Sequence, residues 1–170
     1  LDRIYATARE LTRAMDEIVW AVNPRHDTLD SLAVYLGRFA QELLATAGIR
    51  CRLNLPVQLP QWRLTAETRH NLFLAFKEAL HNVVKHAHAS EARVTLTLRT
   101  HDFTLSIEDD GRGFDFDNMA PPSENLPNRP GGNGLANMRQ RLRELGGRCE
   151  IRSQPGSGTT VSFTVGVRFP

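Results

Sequence analysis

Four short polar motifs interrupt the apolar runs of this chain in fixed order: Glu78-x-x-x-Asn82-x-x-Lys85-His86, Asp109-Asp110-Gly111-Arg112-Gly113-Phe114, Gly132-Asn133-Gly134-Leu135 and Gly156-Ser157-Gly158-Thr159. The first lies on a helical pattern, the second ends a strand-like run, the third opens a helix and the fourth precedes a strand. Glycine at such junctions lets the backbone turn sharply or approach another group closely. The pattern is that of one domain mixing helices and strands.

Between the motifs, hydrophobic spacing assigns the elements. Ile4, Ala8, Leu11, Met15, Ile18 and Val22 recur at steps of four and three, the seam of a helix in a coiled-coil-like bundle, or else of an ordinary amphipathic helix packed on the same domain. Asn23-Pro24 stops it, because proline disfavours the helical state of the residue before it. A second helix is predicted from Asp27 or Thr28, either of which can cap it, through Leu29, Leu32, Leu36, Phe39 and Leu43 to a stop at Gly48. Cys51, Leu53, Leu55 and Val57 alternate as a strand. Thr65 opens a third helix running to about Ala87. Runs at 94–98 and 103–107 predict a hairpin, 111–134 a long irregular loop, 135–145 a helix ended by Gly146-Gly147, and 148–153 and 159–167 two further strands.

On the third helix Glu78, Asn82 and Lys85 fall within about 60° of one another, with Phe76, Leu80, Val83 and Ala87 opposite. A carboxylate, an amide and an ammonium in a row suit a hydrated Mg²⁺ with phosphates, and the same row on its own also fits a solvated helix face. Asp109, at a strand end before two glycines, can accept from an exocyclic amino group. A calcium loop is excluded there, since the further acidic series and the closing Glu are missing. Gly132-x-Gly134 opens a helix whose first amides suit phosphate. Gly156-Ser157-Gly158 reads as a hairpin turn or as a close approach to a ligand. The ordered set describes a nucleotide pocket.

Composition excludes other classes. With 41% hydrophobic residues in 170, the chain can bury one sizeable core. Its 21 basic and 19 acidic residues leave a net charge of +2, so electrostatics give no reason to expect a nucleic-acid partner. Cys51 and Cys149 have neither Cys-x-x-Cys nor His spacing around them and read as small buried hydrophobes in a reducing compartment. No apolar run is long enough to span a bilayer and no signal peptide is evident, so a cytoplasmic location is expected, with membrane anchorage only through regions outside the chain. The initial Leu suggests a fragment of something longer.

With these residues in hand, the chain resembles the catalytic and ATP-binding domain of bacterial sensor histidine kinases, within the superfamily that includes gyrase, Hsp90 and MutL. The resemblance runs from about residue 27 to the end. It implies an α+β fold: a two-layer sandwich of the Bergerat type, with a mixed sheet of about five strands and helices on one face, plus an N-terminal helix from a dimerisation bundle. Residues 1–24 would be the end of the dimerisation and phosphoacceptor domain, and residues 25–170 the catalytic domain. Gly134-Leu-Ala-Asn-Met-Arg-Gln-Arg141 followed by Leu145-Gly-Gly147 looks like the subgroup paired with helix-turn-helix response regulators.

By that resemblance Asn82 ligates Mg²⁺, Lys85 contacts phosphate, Asp109 reads the adenine of ATP, and Glu78 polarises the attacking group near the γ-phosphate. His86, Gly111, Gly113, Gly132, Gly134, Leu135 and Thr159 complete the nucleotide site, with residues near 114–131 as a lid. Implied partners are a receiver domain and a second copy of the full-length protein. Asp110 stands where many relatives have Asn. Residues 1–25 contain no histidine, and His26, beyond Pro24, suits capping or surface solvation better than phosphoacceptance, so the acceptor is expected on a segment outside the chain. The chain alone is expected to bind nucleotide without autophosphorylation. An anti-sigma-factor serine kinase and a non-catalytic nucleotide-binding or partner-binding module are the rival readings.

Overall fold

The computed structural model describes Met15, Val19, Trp20, residues 23–115 and residues 133–167. Five strands form one mixed sheet in the order β1-β2-β3-β5-β4: β1 (Arg50–Asn54), β2 (Glu91–Leu98), β3 (Asp102–Asp109), β4 (Arg148–Ser153) and β5 (Thr159–Gly166). β1 runs parallel to β2 and every other pair is antiparallel. The longer α-helices among the described residues are α1 (Leu29–Thr46), α2 (Ala66–Asn82) and α3 (Asn133–Glu144). The parallel pair requires a crossover, and α2 supplies it.

Strand alternation decides which face carries the helices. Ala92, Val94 and Leu96 of β2, Phe103, Leu105 and Ile107 of β3, and Val161, Phe163 and Val165 of β5 are all buried. They meet Leu32, Leu36, Phe73, Phe76, Leu80, Met138 and Leu142 from the helices in one core. Phe73, Phe76 and Leu80 are within 1% of complete burial, each worth about 1.5–3 kcal/mol relative to exposure. The residues between the apolar ones on these strands are Thr, Ser and Arg, and Thr104 and Thr164 hydrogen-bond across the strands at 3.0 Å. Thus the expected two-layer arrangement, with helices on one face, is what the chain adopts.

Local capping explains the helix limits. Of the two candidates Thr28 is the cap of α1, its Oγ1 accepting from the Ser31 amide at 3.3 Å. Gly48, at φ +72°, follows the end of α1. Thr65 caps α2 by accepting from the Thr68 amide at 3.1 Å. Two expectations need correction. The first strand ends at Asn54, and Val57 is fully exposed rather than alternating into the core. The helix from Thr65 does not run to Ala87 as a uniform α-helix: Val83–Ala87 form a wider π-type turn, closed by His88 at φ 53°.

Most of the expected 4–22 helix lies outside the described residues. Met15, Val19 and Trp20 are helical, and the first two are 65% and 60% exposed. Trp20 stacks flat on Tyr35 of α1 with ring centroids 3.9 Å apart, and also stacks with His26 at 5.8 Å. Tyr35 and Phe39 both meet the Phe73 ring edge-on, at 5.3 and 5.2 Å. Arg69 on α2, 2% exposed, donates to the Leu64 carbonyl at 2.7 Å and to the Asn23 carbonyl at 3.3 Å. The junction therefore docks on the domain through Trp20 and Arg69, and His26 is a stacking partner there.

Candidate functional site

A cavity of about 260 Å³ opens between the end of α2, the C-terminal end of β3 and the start of β5. Asn82, Val83, His86 and Ala87 from the end of α2 and the turn after it line the cavity, with Ile107 and Asp109 of β3, Thr159 and Val161 of β5, Arg112, Gly113 and Phe114 after β3, and Leu135 of α3. The lining is mostly apolar around a single carboxylate. Such a slot accepts a flat, largely apolar ring that carries one polar edge.

Asp109 is 6% exposed. It arrives there because β3 alternates Phe103, Leu105, Ile107, Asp109 on its inward face. Burial pushes its pKa up from the ordinary 3.8, while the Gly111 and Thr159 amides pull it down and Asp110 and Glu108 push it up again. The Gly111 amide donates to Asp109 Oδ1 at 2.9 Å. Asp110 points the other way and is exposed. Its carboxylate accepts from the Ser90 amide at 2.8 Å, the Glu91 amide at 2.9 Å and the Ser90 hydroxyl, and these hold its pKa down. The two adjacent aspartates thus do separate jobs, one in the pocket and one closing the start of β2.

The glycine motifs knit the base of the cavity together. At Gly111 a Cβ would come within 2.8 Å of the Ala87 carbonyl carbon. At Gly113, φ +58°, it would lie 2.8 Å from the Gly158 carbonyl oxygen and 2.9 Å from the Gln154 carbonyl carbon. The Arg112 amide donates to Ala87 at 2.8 Å, and the Phe114 amide donates to Ser153 Oγ at 2.9 Å. The Gly156-Ser157-Gly158 segment is a β4–β5 turn, and its close approach is to the protein's own main chain at Asp109 and Asp110.

Asn82, His86, Asp109, Gly113, Leu135 and Thr159 therefore share one cavity. Gly111 is tied to it through the hydrogen bond from its amide to Asp109. Glu78 does not line that cavity. It borders a neighbouring groove between α2 and α3 with Lys77, His81, Asn137 and Arg141, and its carboxylate faces Gly134. Lys85 is exposed and off the cavity wall. Lys85 follows Asn82 within the π-type turn Val83–Ala87, where the 100° per residue assumed for the row no longer holds. Gly132 and most of the expected lid lie outside the described residues.

Several wall residues escaped assignment from the sequence. Arg112 and Phe114 are inside a quoted motif, so their place was available as a signal. Val83 and Ala87 were placed opposite the polar row, whereas both line the cavity beside Asn82. Ile107 and Val161 are paired across β3 and β5, which no local pattern announces.

Among the described residues no group of three or more His, Cys, Asp or Glu is arranged to hold a metal ion. No helix among them is long and apolar enough to cross a membrane. Cys51 and Cys149 are free and half-buried.

Residues 67–168 match the family described as histidine kinase-, DNA gyrase B- and HSP90-like ATPase. An uncharacterized sensor-like histidine kinase of Chloroflexus aurantiacus is 31% identical over 97% of this chain and 27% of its own length. The sensor histidine kinase LiaS of Bacillus subtilis is 34% identical over 59% of this chain and 25% of its own. This chain thus spans about a quarter of the length of these curated relatives. The histidine kinase domain of the Erythrobacter litoralis EL346 blue-light activated histidine kinase superposes with a TM-score of 0.64 at 22% identity, covering 88% of this chain and 68% of that one, which establishes the shared fold.

Proposed function

Because the chain belongs to the histidine kinase-, DNA gyrase B- and HSP90-like ATPase family, we propose that it is the catalytic part of a sensor histidine kinase. In this reading it binds Mg·ATP and supplies the γ-phosphoryl group to a histidine on an upstream helix, for relay to a response regulator receiver domain. The observation that carries the reading is the buried Asp109 carboxylate at the base of an apolar slot. An adenine ring would lie between Ile107, Val161 and the Val83 and Leu135 side, with its amino group on Asp109.

The donor set fits the rest of such a ligand. Asn82 offers one neutral oxygen at the cavity edge, which suits Mg²⁺, an ion that keeps most of its ligands as water and phosphate oxygens. When bound, the ion would supply positive charge that neutralises the phosphates. His86 on the wall and Lys85 beyond it, with a long flexible stem, would meet phosphate oxygens. Glu78, one turn before Asn82, would polarise the attacking group. The protein's share in such a transfer is positioning and charge stabilisation.

Residues 1–24 would belong to the dimerisation bundle and residues 25–170 to the catalytic domain, docked through Trp20 and Arg69. The curated relatives are named as sensor histidine kinases, which favours this reading over an anti-sigma-factor serine kinase. Calorimetric titration with a non-hydrolysable ATP analogue tests it. The wild type should bind in the presence of Mg²⁺ and Asp109→Asn should not; absence of binding by the wild type would sink the proposal. Stable accumulation of labelled phosphate on the 170-residue chain would refute its second part, that the acceptor lies elsewhere.

A further inference from the structure

Gly134 stands in the first turn of α3, and Glu78 of α2 faces it. A Cβ on Gly134 would overlap Glu78 Oε1, and would lie 3.0 Å from its Cδ and 3.4 Å from its Cγ. All three nearest atoms belong to one flexible side chain. At Gly113 and Gly158 the obstacle is main chain. A methyl group at 134 therefore collides with nothing that holds the fold together, and what it displaces is a carboxylate.

The helix cannot simply retreat instead. Two turns along α3, Arg141 Nη1 donates to Oδ1 of the buried Asn71 on α2 at 3.1 Å. Met138 and Leu142 on the same side are fully buried. With α3 fixed to α2 below the contact, the first turn of α3 acts as a wall and Glu78 is the group that yields.

We infer that Gly134 is a positioning residue for Glu78: its missing side chain leaves the space in which the Glu78 carboxylate is held, one turn from Asn82. The inference rests on the proposed reading, in which that carboxylate polarises the group attacking the γ-phosphate. It gives this glycine a task distinct from presenting its amide to phosphate. A misplacement of about 1 Å in such a group costs up to about a hundredfold in rate.

The test compares Gly134→Ala, Glu78→Asp and the double variant in the 170-residue chain. In the nucleotide-free protein, Gly134→Ala should shift the ¹³C resonance of the Glu78 side-chain carboxyl, whereas Gln140→Ala, exposed on the same helix, should not. Slow Mg·ATP hydrolysis should fall about a hundredfold in kcat for Gly134→Ala, with KM changed by less than about threefold. The double variant should be no slower than Glu78→Asp alone, because the shorter carboxylate clears the methyl group. An unmoved resonance, additive losses in the double variant, or a loss confined to KM would each overturn the inference. A wild type that neither binds nor hydrolyses Mg·ATP would bring down the proposed function and the positioning role together. That failure is recognisable because the resonance shift would persist without any turnover to lose.

Discussion

Gly158 packs directly on the main chain of Asp109: a Cβ at residue 158 would overlap the Asp109 carbonyl oxygen and lie 3.0 Å from its carbon. The β4–β5 turn is thereby pressed onto the strand end that carries the pocket carboxylate. Gly158 also has φ +73°, where a side chain is strained whatever the space. Gly158→Ala should destabilise the domain by about 2–4 kcal/mol. Ser157→Ala, at the exposed neighbouring position, should stay within about 0.5 kcal/mol. Urea midpoints of the two variants decide it, and equal midpoints would contradict the packing argument.

Asp109→Asn should make the nucleotide-free domain more stable while removing nucleotide affinity. Burial raises the folded-state pKa of Asp109 above its unfolded value. The ionised group therefore costs stability above the folded pKa, and the cost is relieved as the pH falls through that value towards the ordinary 3.8. The melting-temperature advantage of Asp109→Asn over wild type should be largest at neutral pH and shrink on acidification. An advantage that grew as the pH fell would show the sign to be wrong.

Asp110 should behave in the opposite sense. Its folded-state pKa is depressed by the Ser90 hydroxyl and the Ser90 and Glu91 amides. Its contribution is present above the unfolded pKa and is lost as the pH falls through the folded one. Asp110→Ala should lower the melting temperature at pH 7 and matter progressively less in acid. Asp110→Asn should retain more, because one amide oxygen can still accept both backbone amides. Identical melting curves for the Ala and Asn variants would dismiss this role.

Arg69→Met should lower stability by about 2–4 kcal/mol, since a buried guanidinium leaves and the Leu64 and Asn23 carbonyls lose their donor. The Trp20 environment should change with it, because Asn23 lies three residues beyond the stacked ring. Fluorescence of a Trp62→Phe background reports this; an unchanged Trp20 emission would separate the buried arginine from the junction.

Cys149 should be almost inert in the native protein. Burial pushes its thiol up to about 11 against the opposing influence of Arg139, so at pH 8 about one molecule in a thousand carries a thiolate. Cys51 is raised in the same direction. Reaction with a chromogenic disulfide should be far slower for the native chain than in urea, and a fast burst from the native protein would refute it.

The elements themselves were legible because their signals are local. Thr65, Gly48 and the alternation through Phe103, Leu105 and Ile107 each act within a few residues of themselves. Asp109 could be picked out because a carboxylate ends an apolar alternation just before two glycines. What was not legible depends on distant partners. Nothing near residue 83 announces a π-type turn, and Lys85 lies within that turn, off the cavity wall. The Trp20–Tyr35 stack joins residues on two helices. The same holds for the contact between Gly134 and Glu78, which a helix-opening glycine suggested only as a place for phosphate.

The last strand among the described residues is an interior strand of the sheet: β5 lies between β3 and β4 and pairs with both. Until it arrives, β3 presents an open edge and β4 has no neighbour. Thr159, which β5 brings to Asp109, is also missing from the pocket until then. During synthesis on the ribosome, the site can therefore be completed only after nearly all of the sequence through residue 166 has been made and has emerged. A polypeptide stalled before residue 159 would carry every residue of the Glu78 to Lys85 motif and both aspartates, yet would lack the strand that assembles them into a nucleotide site.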